Sequence, residues 1–426
     1  MKPIARIVVA VLSVAMLLTL AAGTTFVFAQ QRERIEFWFH HPDDKAIATM
    51  DALVTKFRGE FPQFEVEVIQ TGGMALREMW ERLLATIVAG ASPDLVYTDP
   101  QFFAEWGITA NAFITVESIV SAERIEEHDI IPSAKEPLFV RGKWWGVPFR
   151  TDSRGLFYNV DHYQAAGLDP TRGPGDIGEL DLYAQRLTTT DPTSGRITQL
   201  GFYPWRGNDA SGLLYFWAFG GDFFDWNALR PTVTRYPENR EAMEWIQSYA
   251  ERYGYQRPTN ADFVGGVKQS MSVQSTTALA SIPTQNPDLN FSVDRIPVRE
   301  GLPPVTLAAG VSLGIPSGAQ NPRGGAELAL FLLRTDNQVA WFEGARSLPV
   351  RLSALLQIRD IVTDPREQVL VDLLPYGRTI PPLVERIREA MDYVQERMFR
   401  LETSPQAALE YVQQQSEQRY VEAFPE

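Results

Sequence analysis

The chain has 426 residues and a formal net charge of −14, from 53 acidic and 39 basic side chains, and it contains no cysteine. A surface this acidic repels nucleic-acid phosphates and anionic lipid, so nucleic acid and membrane surfaces are disfavoured as partners. The absence of cysteine excludes disulfides, thiolate catalysis, cysteine-ligated metals and a lipid-modified N-terminal cysteine. A chain of this length predicts two or three domains with a substantial core.

Residues 1–29 have the pattern of a signal peptide. Lys2 and Arg6 supply positive charge, Ile7–Leu20 is apolar, and the small-x-small sequence VFA ends at Ala29. The apolar run is short for a membrane span, and an uncleaved anchor is the alternative. We therefore expect an exported protein, periplasmic or extracellular, that is soluble after cleavage.

The next part of the chain alternates strands and helices. RIEFWF, FEVEVIQ and DLVYT have strand patterns, and Asp43–Arg58 and Leu76–Val88 carry apolar residues at helical spacing. Helical crossovers between consecutive strands favour a parallel sheet. Ligands bind outside the carboxyl ends of the strands in such sheets, which points to three segments: His40-His41, Thr71-Gly72-Gly73 and Thr98-Asp99-Pro100. From these segments the ligand-binding candidates are His40, His41, Gly72 and Asp99.

The remaining sequence predicts a second region rich in aromatic residues and glycine, followed by more strands and helices. Trp38, Trp245 and Trp341 lie in periodic segments, which favours packing in the core. The other elements predicted are strands at Phe291–Val298 and Val305–Ile315, a helix at Gly324–Phe342, and a C-terminal helix with Ser404 as its N-cap and Pro405 at its first position.

The segment Gly142–Pro170, GKWWGVPFRTDSRGLFYNVDHYQAAGLDP, predicts two strands and a short helix capped by Asp161. It also resembles the signature of extracellular solute-binding proteins of ABC importers, especially the sugar-type, maltose-binding-protein-like group. Further matches follow in that family's order: IEFWF, ASPDLVYTD, the aromatic run ending in GGDFFD, AGVSLGIPSGAQNPRGGAELALFLL, GARSLPVRLSA and TSPQAALEY.

The resemblance implies an α/β fold of the periplasmic-binding-protein type II kind, with two lobes, a hinge and a ligand cleft between the lobes. It implies capture of a sugar or oligosaccharide and delivery to the ABC permease, with neither catalysis nor a cofactor, and we expect a monomer. The boundaries we expect are residues 30–140 plus about 291–345 for the N-terminal lobe and about 146–290 plus 346–426 for the C-terminal lobe, with hinge crossings near 141–147, 286–292 and 343–350.

A sugar presents apolar C–H faces and a rim of hydroxyls, so its site combines flat aromatic rings with carboxylates, amides or guanidinium groups. Trp205 and Arg206 offer both kinds of group in a loop-like stretch, and Asp152 falls where some oligosaccharide binders of the family use an acid. The full predicted ligand-binding set is His40, His41, Gly72, Asp99, Asp152, Trp205, Arg206, Gly220, Gly310, Arg346 and Tyr376.

Several of these residues also have a purely structural interpretation. Asp99 before Pro100 is typical of a turn, Asp152 could pair with Arg150 or Arg154, and Arg346 could form a surface ion pair. The two vicinal histidines could belong to a capped turn.

One feature departs from the family. Its members often carry an aromatic turn, frequently with tryptophan, after a strand that here would be Thr277–Ile282, whereas this chain has Pro283-Thr284-Gln285. A stacking platform is therefore either missing or supplied elsewhere.

Other function classes have weaker support. Gly310–Gly314 fits the hydrolase pattern G-x-S-x-G, but all four histidines precede it, which contradicts the chain order of that triad. Gly173–Gly178 fits a dinucleotide fingerprint without a preceding strand, and no zinc or calcium motif occurs. Two alternatives stay open: the same fold binding a phosphorylated polyol, a polyamine or a peptide, and a secreted carbohydrate-active enzyme.

Overall fold

The computed structural model describes residues 32–204 and 212–424, which form a mixed α/β fold. The strands are β1 (Glu33–Phe39), β2 (Phe64–Gln70), β3 (Leu95–Thr98), β4 (Phe139–Val140), β5 (Lys143–Trp144), β6 (Val147–Thr151), β7 (Arg154–Asn159), β8 (Thr189–Thr190), β9 (Ile197–Gln199), β10 (Phe224–Asp225), β11 (Arg230–Pro231), β12 (Met271–Ser275), β13 (Phe291–Asp294), β14 (Thr306–Leu307), β15 (Gly310–Gly314), β16 (Leu348–Pro349) and β17 (Gly377–Arg378).

Helices connect and cover these strands. They are α1 (Asp44–Glu60), α2 (Leu76–Val88), α3 (Gln101–Ala110), α4 (Pro132–Lys135), α5 (Val160–Ala165), α6 (Ile177–Leu187), α7 (Leu213–Ala218), α8 (Pro237–Tyr253), α9 (Asn260–Val264), α10 (Ala278–Gln285), α11 (Pro322–Leu333), α12 (Thr335–Ala345), α13 (Leu352–Arg359), α14 (Pro365–Leu373), α15 (Val384–Phe399) and α16 (Pro405–Ala423). Within the described ranges, none of the helices combines the length and the hydropathy needed to cross a membrane.

The first sheet has the strand order β16-β6-β15-β3-β1-β2. β1 pairs in parallel with β2 and with β3, which confirms the predicted parallel arrangement of these strands. Ile35, Phe37 and Phe39 are fully buried in one core cluster with Met50 and Phe57 of α1. Helices therefore cover this sheet, and its polar groups are left at the ends of the strands.

The second sheet is smaller, with the antiparallel order β12-β7-β13. Beside it lies a second core cluster that is rich in aromatic side chains, among them Tyr163, Trp217, Trp245 and Tyr249. Trp38, Trp245 and Trp341 are 4%, 8% and 0% exposed, so all three are core residues, as their periodic segments predict.

The first sheet and the second sheet are linked where the chain crosses at Asp152-Ser153, between β6 and β7. β15 and β16 both return to the first sheet, where each pairs with β6. We propose that β6 and β16 belong to the N-terminal lobe, although the boundaries expected from the sequence assign both strands to the C-terminal lobe.

Three local predictions differ from the structure. Helix α5 begins at Val160, so its cap is Asn159, whose Oδ1 accepts a hydrogen bond of 3.1 Å from His162 N, and Asp161 lies within the first turn. The helix predicted at Gly324–Phe342 is two helices, because Arg334 between them adopts an extended conformation with ψ of 143°. The strand predicted at Thr277–Ile282 is wrong, since that segment lies almost entirely within helix α10.

Candidate functional site

The carboxyl ends of β1, β2 and β3 bring several predicted residues together. Nδ1 of His40, after β1, lies 3.2 Å from Oγ1 of Thr71, after β2. A methyl group added at Gly72 would lie 2.0 Å from the carbonyl oxygen of His41, so only glycine allows the two loops to approach this closely. His40, His41 and Gly72 are therefore neighbours at one edge of the first sheet.

The imidazole of His41 is held among aromatic rings. Its centroid lies 5.9 Å from that of Phe39, 6.2 Å from that of Tyr97 and 6.3 Å from that of Trp341. Nδ1 accepts a hydrogen bond of 3.2 Å from the backbone N–H of Asp43, which places the proton of the neutral ring on Nε2. Burial, reinforced by nearby positive charge, lowers the pKa of His41 to about 4. At neutral pH His41 is thus an uncharged hydrogen-bond donor.

Arg150, near the end of β6, is fixed by an aromatic residue of β3. Its Nε donates to the hydroxyl of Tyr97, and its guanidinium carbon lies 5.8 Å from the centroid of that ring. Within the described residues, the terminal guanidinium nitrogens have no hydrogen-bond partner. Gly310 of β15 lies beside Arg150: a methyl group added at Gly310 would come within 2.5 Å of the carbonyl oxygen of Arg150. The role of Gly310 is therefore to let β15 pack against β6 next to this guanidinium.

Asp99 follows β3 and is partly buried in the turn that begins α3. Burial raises its pKa to about 6; the positive charge of Arg150 opposes that rise, and the negative charges of Glu385 and Asp152 add to it. Glu385 lies in the first turn of α15, whose buried residues belong to the second core cluster. Charged groups from the first sheet and from α15 thus lie within electrostatic range of one another.

Asp152 makes the pairing with Arg154 that its structural interpretation predicts. Its Oδ1 accepts a hydrogen bond of 2.8 Å from the backbone N–H of Ala309 and also pairs with Arg154. Arg154 in turn donates to the carbonyl oxygen of Leu307 at 3.2 Å. These contacts join the crossing between β6 and β7 to the segment between β14 and β15. The structure therefore places Asp152 as a brace between two crossing segments.

Arg346 and Tyr376 do not join the set at the strand ends. Arg346 pairs with Glu367 and stacks over Phe342 with its guanidinium carbon 4.5 Å from the ring centroid, as in the surface ion-pair interpretation. Tyr376 is 46% exposed and lines a separate groove of about 730 Å³ with Leu356 and Arg359. Across the described ranges, no contact links either residue with His41 or Asp99.

The other predicted residues are less informative about the site. Gly220 lies in an exposed turn after α7 with φ of 94°, where a side chain would approach Leu302. Trp205 and Arg206 lie outside the described residues. Among the residues that are described, no cluster of three or more histidine, aspartate or glutamate side chains could hold a metal ion.

Sequence reasoning missed two members of the site, Tyr97 and Glu385, while Thr71 lies in a segment that the strand-end rule indicates. Tyr97 adjoins the predicted residues after β3, so the same rule could have included it. Glu385 carries no comparable signal, because its approach to Asp99 depends on how α15 packs against the first lobe.

Known proteins resemble this chain over most of its length. The sequence model of the family described as bacterial extracellular solute-binding protein matches residues 42–339. The sn-glycerol-3-phosphate-binding periplasmic protein of Pectobacterium atrosepticum is 22% identical over 367 residues, which cover 76% of this chain and 75% of that protein. A mannitol-binding protein of Pseudomonas aeruginosa is 26% identical over 205 residues, or 48% of this chain and 45% of the relative.

Solved structures share the fold. The cyclic alpha-maltosyl-1,6-maltose binding protein of Arthrobacter globiformis aligns with a TM-score of 0.76 at 18% identity, covering 91% of this chain and 99% of that chain. The sugar-binding protein MalE of Xanthomonas citri aligns with a TM-score of 0.75 at 19% identity, covering 91% and 98%. These likenesses establish the two-lobed periplasmic-binding fold, and because the family match spans more than half of the chain, the protein belongs to the bacterial extracellular solute-binding proteins.

Proposed function

We propose that this protein binds a sugar or oligosaccharide between its two lobes and delivers it to the permease of an ABC importer. The observation that carries the proposal is the set formed by His41, Arg150 and Asp99 at the edge of the first sheet. A neutral imidazole and a guanidinium donate hydrogen bonds, and a carboxylate accepts them, which suits the hydroxyl rim of a sugar. Structurally similar proteins were solved with mannotriose and with maltotetraose bound.

The charges at the site favour an uncharged solute over a phosphorylated polyol. Tight binding of a phosphate group calls for several guanidinium groups. The arginines that could form such a cluster are Arg150, Arg154 and Arg206. Arg154 is already paired with Asp152, and Arg206 lies outside the described residues. The negative charges of Asp99 and Glu385 lie within electrostatic range of each other, and together they repel a phosphate dianion. The relative that is named for sn-glycerol 3-phosphate is therefore a weaker guide to the ligand than the site itself.

A polyamine fits less well for the opposite reason. A polycation would need ionised carboxylates that are free of positive neighbours. Here the guanidinium of Arg150 lies beside Asp99, and the pKa of that carboxyl is raised to about 6. An acidic chain suits a cationic ligand in general, but the local charges at this site do not favour one.

Closure of the lobes supplies the signal to the permease in this proposal. A solute that touches both the first sheet and α15 binds the closed form better than the open form, and so shifts the population toward closure. Asp99 and Glu385 already lie within electrostatic range across the two lobes. The permease would recognise the closed form.

Export and solution state belong to the same proposal. Residues 1–29 would act as the signal peptide, and the released protein would work as a monomer outside the cytoplasm. The family to which the chain belongs is extracellular, which supports this placement.

Thermal shift tests the ligand class, since a solute that binds only the native state raises the melting temperature by mass action. The panel contains maltotriose, mannotriose, mannitol, sn-glycerol 3-phosphate and spermidine. A neutral oligosaccharide should raise the melting temperature, and chromatography of the same mixture should show no product. A shift with sn-glycerol 3-phosphate alone would contradict the sugar assignment, and steady product formation would support the carbohydrate-active enzyme instead.

A further inference from the structure

Three aromatic side chains lie together beside the Asp99 turn: Trp80 of α2 and Phe102 and Trp106 of α3. The ring centroids of Trp80 and Phe102 are 4.1 Å apart, those of Phe102 and Trp106 are 5.0 Å apart, and those of Trp80 and Trp106 are 6.2 Å apart. We refer to these three residues as the aromatic rim.

The aromatic rim is attached to the last residue of β3. Nε1 of Trp80 donates a hydrogen bond of 2.8 Å to Oγ1 of Thr98. Asp99 is the next residue in the chain. The position of the Trp80 ring is therefore fixed relative to the carboxylate that we assign to the binding site.

The topology places the aromatic rim at the same edge of the sheet as His41 and Asp99. α2 follows the carboxyl end of β2, and α3 follows the carboxyl end of β3. Both strands are parallel to β1, so the two helices start at the same edge of the sheet. Trp80 is the fifth residue of α2, and Phe102 is the second residue of α3. This is the edge at which ligands bind in open α/β sheets.

The two tryptophans of the aromatic rim are more exposed than the tryptophans of the core clusters. Trp80 and Trp106 are partly exposed, and Phe102, which contacts both rings, is 8% exposed. Trp217 and Trp341, in contrast, are 6% and 0% exposed and are covered by their cores. Because the indole nitrogen of Trp80 is already bonded to Thr98, what this side chain offers to a solute is the apolar face of its ring.

We propose that Trp80 and Trp106 form the stacking platform for a pyranose ring, whose hydroxyl edge then reaches Asp99. A flat apolar surface next to a carboxylate matches the two kinds of surface that a sugar presents. This inference rests on the proposed sugar-binding function and deepens it. It also assigns a location to the platform that is absent near Pro283, where the chain forms helix α10.

The test compares two substitutions of one residue. Trp80→Leu removes the flat ring, while Trp80→Phe keeps a ring and removes the hydrogen bond to Thr98. Trp226→Leu is the matched control, because Trp226 is a partly exposed tryptophan that packs against Phe224 at 5.2 Å in the second lobe. Calorimetric titration with maltotriose and mannotriose gives the affinity, and thermal melting checks that each variant is folded.

We expect Trp80→Leu to weaken binding of the preferred trisaccharide roughly tenfold, since a lost aromatic contact is worth about that factor. Trp80→Phe should retain most of the affinity, and Trp226→Leu should leave it unchanged. Unchanged affinity in Trp80→Leu, or equal losses in Trp80→Leu and Trp80→Phe, would overturn the platform while leaving sugar binding intact.

Two further outcomes are informative. If Trp80→Leu does not fold, saturation-transfer NMR on the wild-type protein replaces it: saturation of aromatic protons must reach the ring C–H protons of the bound trisaccharide, and its absence overturns the proposal. If the wild-type protein binds sn-glycerol 3-phosphate and neither trisaccharide, the proposed function fails, and the platform fails with it.

Discussion

The hydrogen bond from Nε of Arg150 to the hydroxyl of Tyr97 joins two strands of the first sheet that are not neighbours. Arg150 lies on β6 and Tyr97 on β3, and β15 runs between them. The bond holds the guanidinium in place before a solute arrives, and such preorganisation reduces the entropy lost on binding. Tyr97 is 2% exposed, so it contributes to solute binding by positioning Arg150 and not by direct contact with the solute.

Tyr97→Phe should therefore weaken sugar binding severalfold without direct contact with the solute. The substitution keeps the ring and removes the hydroxyl, whose hydrogen bond contributes about 1–3 kcal/mol to stability because it is made to a charged group. Calorimetric titration measures the affinity. Tyr249→Phe is the control, since that hydroxyl donates to Asp181 at 2.7 Å in the second lobe and its loss should lower stability alone. Equal affinities in wild type and Tyr97→Phe would show that the hydrogen bond from Arg150 to Tyr97 does not contribute to solute binding.

The raised pKa of Asp99 predicts a pH dependence of stability. A carboxyl whose pKa is raised on folding stabilises the native state while it is protonated; this contribution is complete below its unfolded pKa of 3.8 and is lost as pH rises through about 6. Asp99→Asn cannot ionise, so between pH 4 and pH 7 the wild type should lose roughly 1–3 kcal/mol relative to this variant. Chemical denaturation across that range measures the difference. Parallel profiles of stability against pH for the two proteins would mean that folding does not raise the pKa of Asp99.

Glu105 of α3 predicts a second pH effect, centred at a higher pH, at its contact with the start of α15. Its Oε2 accepts a hydrogen bond of 3.2 Å from the backbone N–H of Leu383, just before α15. Burial raises its pKa from 4.5 to about 7, with the nearby charge of Arg386 opposing and that of Glu385 adding. The stability that the protonated form provides is complete below pH 4.5 and is lost as pH rises through about 7.

Glu105→Gln should therefore gain stability over the wild type as pH rises from 5 to 8. Thermal melting in matched buffers measures this, and Glu78→Gln, at an exposed position in α2, is the control that should follow the wild type. A constant difference between wild type and Glu105→Gln across this range would contradict the assignment.

Substitution of Asp152 separates bracing from ligand contact. Asp152→Ala leaves the N–H of Ala309 and the guanidinium of Arg154 without their shared acceptor, so we expect a loss of about 1–3 kcal/mol in stability. The loss of sugar affinity should be smaller than that caused by Arg150→Met. Denaturation and titration of both variants give the comparison, and a greater loss of affinity in Asp152→Ala would restore Asp152 as a ligand-contacting residue.

Part of the site followed from the sequence because it depends on local order. Once β1, β2 and β3 were recognised as parallel strands, the strand-end rule placed His40, His41 and Asp99 at one edge of the sheet. The cap of the C-terminal helix was also predictable, since Ser404 accepts from Ala407 N at 3.3 Å and Pro405 occupies the first position. The positions after the strands and the helix cap are confirmed, and the ligand-binding role of the three residues stays a prediction.

The rest depended on distant parts of the chain. The pairing of Arg150 with Tyr97 requires β15, more than 150 residues later, to lie between their strands. The partner of Arg346 is Glu367 on another helix, and no spacing rule identifies it. The family pattern predicts a strand at Thr277–Ile282, but the alanines of this segment favour the helix that is observed.

The measurement that tests the account most directly is calorimetric titration of the wild-type protein and of Arg150→Met with maltotriose, mannotriose and sn-glycerol 3-phosphate. We predict that the wild type binds a neutral trisaccharide in preference to the phosphate, and that Arg150→Met stays folded and loses at least about a hundredfold in affinity, since a charged hydrogen bond is worth roughly 1.5–3 kcal/mol and its partners are left unpaired. Preference for sn-glycerol 3-phosphate, or undiminished trisaccharide binding by Arg150→Met, would contradict the proposed sugar site.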